Sequence, residues 1–159
     1  LIALTFSLAG LGTGAAAHSM PDTVVIVDRG AESVTLTIRA SLEDLGRVMA
    51  DAPDEDDTMT AEEEAALRDY FAAHPRLETV EGAAVPVEID EIKLFEAHHA
   101  DVGHFEEAEI TASAPAHEGE ALVLRYDGIL HEVANHRALV YGADGTRLGI
   151  LRFDRNHPA

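Results

Sequence analysis

Two histidines, His131 and His136, stand on a short polar segment between two apolar runs, Ala121-Leu-Val-Leu-Arg-Tyr126 and Arg137-Ala-Leu-Val-Tyr141. The runs are rich in Leu, Val and Tyr, which suit a half-buried pleated surface, so the segment reads as core strand, bend, core strand. A bend between two rigid strands can present both imidazoles to one ligand. The competing reading is that both rings only hydrogen-bond loop backbone. A third nitrogen donor pair comes from His18. If processing frees the chain after Ala17, His18 offers its α-amine and its ring Nδ1 to one metal as a chelate, and His131 or His136 completes a three-nitrogen site. Divalent affinity peaks at copper, and imidazole also suits nickel and zinc, so copper or nickel is expected ahead of zinc. The α-amine titrates near ~8, so capture near neutral pH displaces a proton at modest cost. The competing reading makes His18 the start of a flexible arm.

A second candidate site is His98-His99-Ala-Asp101-Val-Gly-His104, three imidazoles and a carboxylate within seven residues. It is expected to form a loop that could hold zinc or nickel between two strand ends, although surface histidine clusters also bind metals incidentally. Enzyme patterns are missing. His131-Glu132 begins like the zinc-protease motif His-Glu-x-x-His, but the fifth position is Asn135 and the flanks favour strands over the helix that motif needs. There is no glycine-rich phosphate loop and no Gly-x-Ser-x-Gly elbow. The expectation is a chain without catalytic residues.

Composition narrows the partners. Thirty acidic against 11 basic residues give a formal charge of −19, the wrong sign for nucleic acid or an anionic membrane surface. Cations or a basic protein are the natural counterparts. With no cysteine, disulfides and thiolate metal sites are excluded, so a metal must take histidine, carboxylate or backbone nitrogen. Tryptophan is absent and aromatics make up 5%, which leaves the core to Val, Leu, Ile and Ala.

The elements that must position these groups follow from periodicity. Leu1 to Gly14 is apolar and uncharged and leads into Ala15-Ala-Ala17. It is shorter than the ~20 residues of a membrane span, and it reads as a signal peptide over residues 1–17, a retained anchor being the alternative. Export would place residues 18–159 in the periplasm or at the cell surface as one domain. Thr23 to Asp28 and Glu32 to Ala40 form a hairpin, the second strand alternating Val34, Leu36 and Ile38 with polar residues. Ser41 with Asp44 caps a short helix to Ala50, and Thr60 with Glu63 makes a capping box for a helix from Ala61 to about His74. His74 falls on the packed face of that helix, with a core or helix-end role expected, and Pro75 stops it. The acidic stretch from Asp51 to Thr60 reads as a solvated loop, because the order of a calcium-binding loop is missing. Val85 to Ala97 alternates, but Ile92 and Phe95 break the phase, which indicates a bulge or two short strands. Phe105 to Ser113 resumes as a strand, and Gly142-Ala-Asp-Gly145 turns into Leu148 to Phe153. About seven or eight strands with two helices after the second predict a mainly β fold: an antiparallel, immunoglobulin-like β-sandwich with a helical insertion around residues 41–74.

Three stretches resemble a known family. Tyr126-Asp127, Ile129-x-His131 and His136-x-Ala138-Leu139-Val140 resemble the extracytoplasmic N-terminal region of HupE/UreJ-like bacterial membrane proteins. His18-Ser-Met-Pro21 with the valine run up to Asp28 is similar to that family's start, and Leu148 to Asp154 to its closing strand. Members usually continue into membrane helices, whereas this sequence runs to Ala159. The resemblance implies an extracytoplasmic location and a fold, while the nickel or cobalt uptake of the family belongs mainly to those helices. The expected function is a periplasmic domain that binds copper or nickel and buffers it or delivers it to a membrane transporter. The alternative is a non-catalytic interaction domain of a membrane assembly, its acidic surface meeting a basic partner.

Overall fold

The computed structural model describes residues 20–54, 58–133 and 135–152. The expected signal peptide, His18 and the centre of the acidic loop lie outside the described residues. Alternation of small β-branched and polar side chains builds the first hairpin as expected. β1 (Thr23–Arg29) and β2 (Ser33–Ser41) pair antiparallel from Val24↔Arg39 to Arg29↔Val34. Two helices follow. In α1 (Leu42–Val48) the Ser41 side chain accepts from the Asp44 amide, and in α2 (Ala61–Ala73) Thr60 and Glu63 close the full capping box. Leu67 and Phe71 of α2 are fully buried, each worth roughly 1.5–3 kcal/mol in apolar transfer.

Beyond the helices come β3 (Pro75–Thr79), β4 (Ala84–Val85), β5 (Glu88–His99), β6 (Gly103–Pro115), β7 (Leu122–Tyr126), β8 (Arg137–Gly142) and β9 (Arg147–Arg152). The fold is mainly β, with a six-stranded sheet ordered β5-β6-β2-β1-β8-β9 and a three-stranded sheet ordered β4-β3-β7. The phase break in β5 is a bulge between Ile89 and Glu91. β3 and β4 were not expected. β3 opens on a proline and carries Arg76 and Glu78 in five residues, so its strand character comes from its neighbours rather than its own propensity.

One expectation is corrected. The six-stranded sheet is mixed, not wholly antiparallel, because β1 pairs parallel with β8 from Thr23↔Ala138 to Val27↔Gly142. Periodicity shows which face of a strand is buried but not which strand lies beside it. The segment between Tyr126 and Arg137, expected as a bend between two strands, joins the two sheets: β7 belongs to the small sheet and β8 to the large one.

The core lies on the inner face of the large sheet. One part packs Val25, Ile38 and Ile110 against Leu45, Phe71 and Tyr126. The other joins Val34, Leu36 and Ala112 of the large sheet to Leu77 of the small one. The crossing segment adds Ile129 and Leu130 to the first part, which fixes the backbone on which His131 stands.

Candidate metal centre at the sheet crossing

The crossing begins with a close contact. A Cβ on Gly128 would lie 2.7 Å from the Tyr126 hydroxyl and 2.8 Å from Cζ of the same ring, so only glycine lets the chain pass that buried side chain. Ile129 follows at φ 63, a rare backbone region for a β-branched residue. The Leu130 amide donates to the Gly128 carbonyl at 2.6 Å, closing a γ-turn centred on Ile129, and the positive-φ form of that turn is the strained one. Surrounding structure holds it: Ile129 is fully buried, and its amide donates to the Tyr70 hydroxyl at 2.7 Å. Burial is the main reason the Tyr70 pKa is pushed up to about 12, so the hydroxyl keeps its proton.

On either side of this turn, Asp127 organises two imidazoles. Its Oδ1 accepts from His74 Nδ1 at 2.8 Å, its Oδ2 from Arg76 at 3.1 Å, and its backbone carbonyl from His131 Nδ1 at 2.7 Å. Carboxylate and carbonyl oxygens only accept, so both Nδ1 atoms carry a proton, and in the neutral form of each ring the lone pair falls on Nε2. The two rings stack at 5.1 Å between centroids and 20° between planes, and the Tyr70 ring backs His74 at 4.2 Å. Glu132 Oε1 lies 3.9 Å from His131 Nε2. His74, Asp127 and His131 are 18%, 23% and 30% exposed, half-sheltered but reachable from solvent. A histidine whose Nδ1–H is held by a carboxylate or carbonyl has the orientation that metal-ligating imidazoles ordinarily have.

The predicted partners of His131 fare differently. His136 turns inward, and its ring is 5% exposed. Its Nε2 accepts from the Thr23 amide at 3.3 Å and sits 2.8 Å from the Thr23 hydroxyl, while Nδ1 faces Asp44 Oδ2 at 3.4 Å. Both nitrogens therefore face protein partners, the structural alternative to a ligand role. His136 pins the first residue of β1 to α1 and to the start of β8, and burial holds its pKa below the ordinary value. His74 takes its place beside His131. It caps the C-terminal end of α2, the helix-end role expected of it. The missed signal was register: β3 pairs Pro75↔Tyr126, which puts His74 opposite Asp127, but that pairing is invisible until β3 is known to be a strand.

The second predicted cluster lies at a hairpin end, where the strands reach further than the expected loop. β5 and β6 run up to the histidines, pairing His98↔His104 and His99↔Gly103. His98 and His104 meet edge-on with centroids 4.9 Å apart. His99 points elsewhere along the alternation, its Nδ1 accepting from the Asp101 amide at 3.4 Å, so His99 and Asp101 do not join that pair. Among the described residues no three His, Asp or Glu side chains stand, as placed, around a point that could hold a metal ion, and no helix is long and apolar enough to cross a membrane. No family model and no curated protein matches the chain.

Proposed function

We propose that this chain is a non-catalytic, extracytoplasmic domain that binds a divalent transition-metal ion, copper or nickel first, and buffers it or hands it to a membrane transporter of the HupE/UreJ-like kind. The observation that carries the reading is the pair His74 and His131, both held through Nδ1 by Asp127, with neither Nε2 atom hydrogen-bonded among the described residues. His131 and His74 are the proposed ligands, with Glu132 or the N-terminal amine and ring of His18 completing the set. The stacked rings must tilt toward each other to share one ion. The strained turn at Ile129 supports the assignment, since backbone strain of about 1–3 kcal/mol persists where the surroundings over-determine it, often at ligand sites. We take the two facing sheets as an immunoglobulin-like sandwich with one parallel pairing added, and the signal peptide as the route of export. The buried, fully engaged His136 favours a second reading, an interaction domain with structural histidines and an acidic surface for a basic partner.

Titration of the purified mature protein with Cu2+ and Ni2+ separates them. Metal binding tighter than micromolar is expected, weakened about tenfold or more in His74→Ala and His131→Ala and about 10–100-fold in Asp127→Asn. Affinity no tighter than micromolar, or affinity indifferent to both histidines, removes the metal reading and leaves the interaction domain.

A further inference from the structure

The inner face of the β5–β6 hairpin changes character along its length. Directly opposed pairs on that face are Ile92↔Ile110, Leu94↔Ala108, Glu96↔Glu106 and His98↔His104. The first two pairs pack into the core. Alternation of period two keeps all four on one side of the hairpin. Where the strands run past the core, the apolar face therefore continues as two carboxylates and two imidazoles. Glu96 and His104 are 67% and 70% exposed, and His104 Nδ1 lies 2.5 Å from Glu96 Oε1.

Two like charges directly opposite each other destabilise a sheet. Elsewhere in this protein such a pair is compensated: Arg76 and Arg125 are opposed, and each has its own carboxylate, Asp127 and Glu78. Among the described residues no arginine or lysine forms an ion pair with Glu96 or Glu106, Glu96 pairing with His104 instead, on a chain of net charge −19. A divalent cation is the compensation that this set of donors fits. Opposed Cβ atoms are ~5 Å apart and successive ones on a face ~7 Å. At those spacings the four side chains would have to swing together to reach one ion at ~2.0–2.2 Å.

We propose that the end of the β5–β6 hairpin is a second cation site, with Glu96, His98, His104 and Glu106 as an N2O2 set for Zn2+ or a similar ion of borderline softness. The four side chains swing together to close it. This site shares no residue with the one at the sheet crossing and does not depend on it.

The test is calorimetric titration of the full chain with Zn2+, beside His98→Ala/His104→Ala, Glu96→Gln/Glu106→Gln and His74→Ala/His131→Ala, with far-UV circular dichroism to verify folding. Expected is a Zn2+ site that vanishes in the first double variant, weakens about tenfold or more in the second, and persists in the third. Metal-free Glu96→Gln/Glu106→Gln should also unfold at a higher temperature than the parent, a gap that saturating Zn2+ closes. Unchanged affinity in the glutamine variant would reduce the hairpin to an incidental histidine pair. Loss of the site in His74→Ala/His131→Ala alone would place it at the crossing instead. Either result overturns the proposal.

Discussion

Removing the His136 ring should unfold this protein more readily, and the cost can be worked from its contacts. The Thr23 amide can only donate, so His136 Nε2 is the bare nitrogen and Nδ1–H is aimed at Asp44 Oδ2, 3.4 Å away. That oxygen has no hydrogen bond of its own, whereas Asp44 Oδ1 accepts from Arg47 at 2.9 Å. The two side chains are 5% and 2% exposed. Burial holds this ring neutral around pH 7, so what its removal leaves behind is the buried Thr23 amide without its acceptor, a cost of about 1–3 kcal/mol. With the packing of the buried ring lost as well, His136→Ala should fall at the upper end, about 3 kcal/mol. His136→Gln can still accept from Thr23 and donate to Asp44, and should lose about 1 kcal/mol. Urea unfolding at constant slope reads both.

The same ring sets a pH dependence. Burial is the main reason the folded-state pKa of His136 lies below its ordinary 6.5, against the pull of Asp44 and Asp22 and with Arg47 and Arg137 adding to the depression. Between the lowered value and 6.5 the unfolded chain binds a proton that the folded chain refuses. Stability then rises with pH across that window. The contribution is complete above the ordinary value and is lost as pH falls below it, so the parent should weaken on acidification and His136→Gln should lack that component. A loss under about 1 kcal/mol in His136→Ala, or identical pH slopes in parent and glutamine variant, would refute the pinning role.

Two further outcomes follow from the crossing segment. Gly128→Ala puts a methyl group within 2.7 Å of the Tyr126 hydroxyl and 2.8 Å of its Cζ; the fully buried ring cannot retreat, so thermal unfolding should show a loss of about 1–3 kcal/mol together with weaker binding at His131. At Ile129, alanine gives up the buried side chain and keeps the positive φ, while glycine gives it up but releases about 1–3 kcal/mol of strain. Ile129→Gly should therefore be the more stable of the two in urea titrations, and the opposite order would mean that the turn is not strained.

What the residues determined alone is what depends on neighbours a few positions away. The Thr60–Glu63 capping box, the Ser41 cap and the alternation of Val34, Leu36 and Ile38 each carry their own local physics, so two helices, most strands and the mainly β class could be read directly. So could the turn into β9 and the break in the phase of β5. The site could not. His74 and Asp127 meet across 53 positions, through a strand that a proline and two charges disguise, and His131 parts from His136 because β7 and β8 enter different sheets. Strand neighbourhood comes from how whole faces pack, which no short window encodes. That is why the histidines were legible as candidate ligands in type, while their grouping, one pair at the sheet crossing, one at the hairpin end and one ring buried as a pin, was decided only by the tertiary fold.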